Sequence, residues 1–142
     1  MAGVDLTLRT RTKLAALAIL AVVALSGMVI TVLLRDAEGP FIYEVDILPI
    51  SPKAGDTLTV TVYCIDTSGV SSAKLSISTN GLQWVEQDMV FYACLCLAGG
   101  RWVANFGPVN NNETVRFYVT AFDNSLGRNP ADTQTFELHI GQ

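Results

Sequence analysis

Between Lys13 and Arg35 the chain runs from Leu14 to Leu34 without a charge, 21 positions in which only Ser26 and Thr31 carry polar side chains. Few soluble folds accommodate such a run. As a helix rising 1.5 Å per residue it spans about 31 Å, close to the hydrocarbon thickness of a bilayer. Both hydroxyls are able to bond back to their own helix. The flanks differ in charge: Arg9, Arg11 and Lys13 precede the run against Asp5, whereas Arg35 follows it with Asp36 and Glu38 alongside. The positive-inside rule then places residues 1–13 in the cytoplasm and the body outside. The expected organisation is a cytoplasmic N-terminus over 1–13, a transmembrane helix over 14–34, a linker over 35–40 and an extracytoplasmic domain over 41–142.

A cleaved secretory leader competes with this anchor. The basic start, the apolar Leu14–Val23 and the small-residue zone Ala24-Leu25-Ser26-Gly27 satisfy its pattern. A lipoprotein leader does not fit, because Met28 stands where the lipidated Cys is required. Cleavage near Gly27 would also leave Met28 to Leu34 as a greasy new N-terminus. The anchor is the reading kept, and both readings export the body.

That body is acidic. From Asp36 to Gln142 it holds twelve carboxylates against Lys53, Lys74, Arg101, Arg116 and Arg128, and the whole chain has a net charge of −4. Scattered bases on an acidic domain give no electrostatic footprint for a nucleic-acid backbone, so nucleic acid is excluded as a partner.

The hydropathy pattern of the body alternates with period two and is broken every ten or so residues by Gly, Pro, Asn or Asp. Phe41 to Leu48 reads as a strand closed by Pro49 and Pro52. Thr57 to Ile65 is the clearest strand, with Leu58, Val60, Val62 and Cys64 on one face and Thr57, Thr59, Thr61 and Tyr63 on the other. One buried face and one wet face is the signature of an antiparallel sandwich strand. Ala73 to Thr79 follows, with Asn80-Gly81 as a two-residue hairpin signal and a return strand from about Trp84. Met89 to Leu97, Arg101 to Phe106, Thr114 to Phe122 and Thr133 to Ile140 complete seven or eight strands. The expected fold is all-β, an antiparallel Greek-key sandwich with one N-terminal transmembrane helix.

Several stretches carry a resemblance: Gly55-Asp56-Thr57-Leu58-Thr59-Val60, Asp66-Thr67-Ser68-Gly69-Val70, Gly81-Leu82-Gln83-Trp84, Gly100-Arg101-Trp102-Val103-Ala104, and Val115 through Asn124. Together they resemble the immunoglobulin-like or fibronectin type III-like repeats of prokaryotic surface proteins. The resemblance covers about Phe41 to Ile140 and implies a scaffold without a chemistry. Antibody domains pair a Cys on the second strand with one on the penultimate strand. Here Cys64 occupies the former, but Val119 and Ala121 stand on the latter. In layout alone, one anchor helix and one exported sandwich also resemble the small stator proteins of the archaeal flagellum.

Few residues offer chemistry. In an extended strand Cys94 and Cys96 would point the same way about 6.6–6.8 Å apart, so they would not readily bond each other. The expectation is one disulfide from Cys64 to Cys94 or Cys96, crossing strands and closing a loop of about 30 residues. The competing reading is a Cys-x-Cys metal or redox pair, with only His139, Cys64 and Met89 available to complete it. His139 lies between Leu138 and Ile140 and is expected to face solvent. With one His and no nucleophile elbow, a Ser/His/Asp hydrolase is excluded and no catalysis is assigned.

The loops Asp66–Val70 and Asp123–Asp132 are expected at the same end of the sandwich. There Asp66, Asp123 and Asp132, with Ser68 and Asn124, offer hard oxygen ligands of the kind Ca²⁺ takes. The same aspartates also serve as Asx-turn residues. Asn112-Glu113-Thr114 is a glycosylation sequon in a polar loop. The function expected is a membrane-anchored interaction or structural module with a protein partner in the envelope or surface layer. No small-molecule substrate is expected, because a sandwich this small spends its interior on packing. The alternative is a small exported metal or redox domain built on Cys94 and Cys96.

Overall fold

The structure, a computed structural model, describes Lys13, residues 15–26 and residues 36–141. They belong to two units divided after Arg35. Among the described residues of the first unit, 15–26 are helical with every side chain exposed. No described helix is long and apolar enough to cross a membrane. Leu14 and residues 27–34 of the expected span lie outside the described residues.

The second unit is an all-β sandwich. Its strands are β1 (Phe41–Leu48), β2 (Leu58–Ile65), β3 (Val70–Ser78), β4 (Val85–Asp88), β5 (Val90–Ala93), β6 (Gly100–Phe106), β7 (Thr114–Asp123), β8 (Pro130–Asp132) and β9 (Phe136–His139). One antiparallel sheet runs β1-β2-β6-β5. The other runs β4-β3-β7-β8, with β9 pairing further along β7. The chain changes sheet after β2, β4 and β6, which is how a Greek-key sandwich closes over its core.

The alternation read in β2 is what builds that core. Leu58, Val60, Val62 and Cys64 are buried while the residues between them stay partly exposed. They face Ala73, Leu75 and Ile77 of β3 and Val115, Phe117, Val119 and Ala121 of β7 across the sandwich. Phe117 stacks on Phe136 of β9, ring centroids 5.1 Å apart. On the wet face, Thr59 donates to Asn105 Oδ1 of the paired β6 at 2.8 Å.

Three expectations about the strands are corrected. The apolar stretch Met89–Leu97 is not one strand: Met89 is buried where the chain crosses between sheets, β5 stops at Ala93, and residues 94–99 turn. Asn80-Gly81 does not make a two-residue hairpin. Asn80 Oδ1 instead accepts from the amides of Leu82 and Gln83, and this side-chain cap sustains a connection that reaches Val85. Pro130–Asp132, read as loop, pairs with Thr120–Phe122, because a proline is tolerated on a sheet's outer strand.

Candidate functional site

Register brings one set of loops to the same end of the sandwich. Phe41 pairs with Ile65, so the start of β1 lies beside the loop after β2. Val70 pairs with Asp123, and Asn124 N donates to Gly69 O at 2.9 Å, which brings in the loop after β7. The turn 94–99 joins them, since Ala98 shares a cleft with Asp66, Gly69 and Trp102. Gly69 holds φ at 88°, a left-handed conformation that glycine takes without a Cβ clash.

At this end the carboxylates of Asp36, Asp66 and Asp123 have oxygens within 4.8 Å of one another. Asp66 Oδ1 accepts from both the amide and the hydroxyl of Ser68 at 2.7 Å, an Asx-turn that ends β2. Asp36 accepts from the Glu38 amide and, more weakly, from Thr67 Oγ1. Asp123 is fully buried at the end of β7. It accepts from Asn129 N and from Asn129 Nδ2, both at 2.7 Å. Burial pulls its carboxyl pKa up, but hydrogen bonding from Ser125 and Asn129 outweighs this and holds it below the ordinary value.

Asn129 ties the rest together. Its Nδ2 also lies within donor reach of Asp36 O at 3.0 Å and of Ser125 Oγ at 3.2 Å. The arm 36–40 is thereby fastened to the loop after β7. The fastening needs close backbone approach: a Cβ on Gly39 would meet Pro130 O at 2.3 Å. Of the expected calcium set, Asp66 and Asp123 come together and Ser68 and Asn124 lie beside them. Asp132 does not join. It sits exposed on β8, where its Oδ1 accepts from Thr120 Oγ1 at 2.6 Å. Asp36 takes its place, although the linker reading gave it no role. Hard-cation donors are present, yet each of the three carboxylates already accepts from the chain's own groups. Asn129-Pro130 is a turn signal in the sequence, but it says nothing of the partner that Asn129 grips.

The cysteines depart from expectation. Cys94 and Cys96 are bonded to each other with Cα atoms 5.4 Å apart, and Cys64 is a free buried thiol. The strand geometry that argued against this pair does not apply, because both residues lie beyond β5 in a turn. Gly99 N donates to Cys96 O, and Cys94 N donates to Gly99 O. Burial pushes the Cys64 thiol up to about 11. Two results are expected. Reduction should cost only about 1–2 kcal/mol, since a loop this short removes little chain entropy, against roughly 3–4 for a loop of 30 residues. Iodoacetamide at pH 8 should leave Cys64 unmodified until denaturant is added, as mass spectrometry of the peptides will show. Rapid alkylation in the folded state would contradict this burial.

The turn that the disulfide closes is apolar and open. Leu95 is 110% exposed and Leu97 81%, and Leu126 in the loop after β7 reaches 108%. Phe91 and Tyr92 of β5 are half exposed, and the Phe91 ring packs 5.1 Å from Trp102. His139 lies exposed on β9, its Nδ1 3.1 Å from Thr114 Oγ1, on the solvent side as expected. Asn112 is exposed, with φ at 57°, in the turn before β7, which places it at the other end of the sandwich from Asp123.

No protein-family model matches the chain, and no curated protein matches it. Among solved structures it is similar to the carbohydrate-binding module BhCBM56, in crystals of a bromine derivative, with 13% identity and a TM-score of 0.50. That match covers 71% of this chain and 98% of the other. It is also similar to a β-1,2-glucanase from Parabacteroides distasonis, with 14% identity and a TM-score of 0.40, over 74% of this chain and 13% of the enzyme. The first likeness shows the sandwich fold and nothing of its ligand; the second is too low to add to it.

Proposed function

We propose that this chain is a single-pass membrane protein whose extracytoplasmic sandwich, of the immunoglobulin-like or fibronectin type III-like kind, acts as an interaction or structural module in the envelope or surface layer. One observation carries the reading. Leu17, Ile19, Leu20, Val22, Val23 and Leu25 point to all sides of the helix over 15–26, and each is about two-thirds exposed. A helix that is apolar all round belongs in a large core or in a bilayer, and the described core is built from sandwich residues alone. The uncharged run extending to Leu34 and the basic residues before it support the bilayer and the N-in orientation.

The sandwich contributes surfaces. The outer strands β1, β4 and β5 leave backbone groups for a partner, and the acidic body favours a basic one. The metal alternative has less support, since Cys94 and Cys96 spend their sulfurs on each other and Cys64 keeps its proton. Protease added to intact cells or spheroplasts is expected to digest the sandwich while an N-terminal tag stays protected. The chain should also stay in the membrane pellet after an alkaline carbonate wash. A protected C-terminus or release by the wash would overturn the reading.

A further inference from the structure

We infer that the loop end of the sandwich lies on the lipid surface, with Leu95, Leu97 and Leu126 inserted among the headgroups of the bilayer that holds the anchor. The inference rests on the membrane reading above and names what the sandwich itself touches. Leu95 and Leu97 stand on either side of Cys96, in a turn closed by the Cys94–Cys96 bond and by two backbone hydrogen bonds. This turn holds its leucines out with little conformational freedom left to lose on binding. Leu126 comes from a different loop, held to the same end by the Asn124–Gly69 bond. Three leucines from two loops, all near full exposure, leave apolar area that water does not favour.

Connectivity selects the occupant. The apolar run ends at Leu34 and the described arm starts at Asp36, fastened through Asn129 to this very end. A chain reaches at most about 3.6 Å per residue, so the end bearing the leucines is tethered within a few residues of the run. Tyrosine, with an apolar ring and a polar tip, favours the interfacial zone, and Tyr92 stands half exposed beside Phe91 on the strand leading into the turn. The charge at this end is mixed: Asp36, Glu38, Asp66 and the buried Asp123 are answered by Arg101 and Arg128. That acidic excess suits zwitterionic headgroups better than a strongly anionic surface. Leu48, Ile50 and Leu82 are also exposed, but Leu48 ends β1, and Ile50 and Leu82 follow β1 and β3, all at the far end.

The test uses the full chain in phosphatidylcholine nanodiscs carrying a nitroxide-labelled lipid, with methyl groups observed by NMR. The Leu95, Leu97 and Leu126 methyls are expected to lose most of their signal, while those of Leu48, Ile50 and Leu82 keep theirs. In a Leu95→Asp, Leu97→Asp variant, which alters only exposed side chains, the Leu126 signal should recover. An anchored chain whose far-end methyls are broadened instead, or whose leucines are all unaffected, overturns the docking and leaves the anchor standing. A chain that does not stay with the nanodiscs overturns both.

Discussion

Replacing Phe117 by Ala is expected to destabilise the sandwich by about 3–5 kcal/mol, the range for truncating a large buried aromatic ring. Phe117 is 1% exposed and is the largest of the fully buried side chains. It sits on β7, whose neighbours β3, β8 and β9 make β7 the strand that joins most of its sheet. Removing the ring opens a cavity in the buried cluster and leaves Phe136 without its stacking partner. Because β7 is paired along its whole length, its backbone has little freedom to collapse into the cavity. With total stabilities of roughly 5–15 kcal/mol, the loss is a large fraction of what holds the domain. At about 4 °C per kcal/mol for a domain of this size, the melting temperature should fall by about 12–20 °C. Thermal or urea unfolding of the purified full chain in detergent measures it. Leu95→Ala is the control, expected to change stability by less than about 0.5 kcal/mol because nothing packs on that side chain. A Phe117→Ala variant that melts with the parent would refute the described packing of the two sheets.

The residues that make this core were legible as sequence, and the reason is periodicity. β2 alternates without interruption, so its register is set by which side chains must leave water, and a slip of one residue would expose all of them. β1 was bounded correctly for a simpler reason: Pro49 ends it. The gathering of Asp66 and Asp123 at one end was also legible, because strand direction alternates in an antiparallel sandwich and both residues close strands running the same way. What was not legible depends on where an apolar stretch stops being a strand. Met89–Leu97 is apolar throughout, and nothing in its hydropathy separates the buried crossing at Met89, the outer strand β5 and the turn after it. Reading it as one strand made Cys94 and Cys96 neighbours that could not bond, and sent the disulfide to Cys64. Asp36 was hidden for another reason. Its role depends on Asn129, 93 residues away, and on a glycine without a Cβ at position 39. No local pattern encodes such a long-range fastening.

That fastening yields the other large effect. Asp123→Ala is expected to lower the melting temperature by roughly 10 °C near neutral pH, since it removes a buried acceptor and leaves half-buried donors unpaired in the network that closes this end. Asn129 N and Nδ2 would lose their 2.7 Å acceptors. The Asn129 side chain, no longer held, would release the arm it grips at Asp36 O. Asp123→Asn should fall between Ala and the parent: its amide oxygen still serves one donor, but its own NH₂ then faces that of Asn129. The effect must also depend on pH. The native carboxyl titrates below its ordinary value, whereas in the unfolded chain it titrates near 3.9, so on acidification the unfolded state takes up the proton first. The stabilisation is therefore complete above about pH 5 and is lost as pH falls below 4 and through the lowered native pKa. Melting curves of parent and Asp123→Ala should accordingly lie far apart at pH 7 and converge towards pH 3. A gap of the same size at both values would mean that the side chain's shape and not its charge holds the loops, and the ionic part of the account would fail.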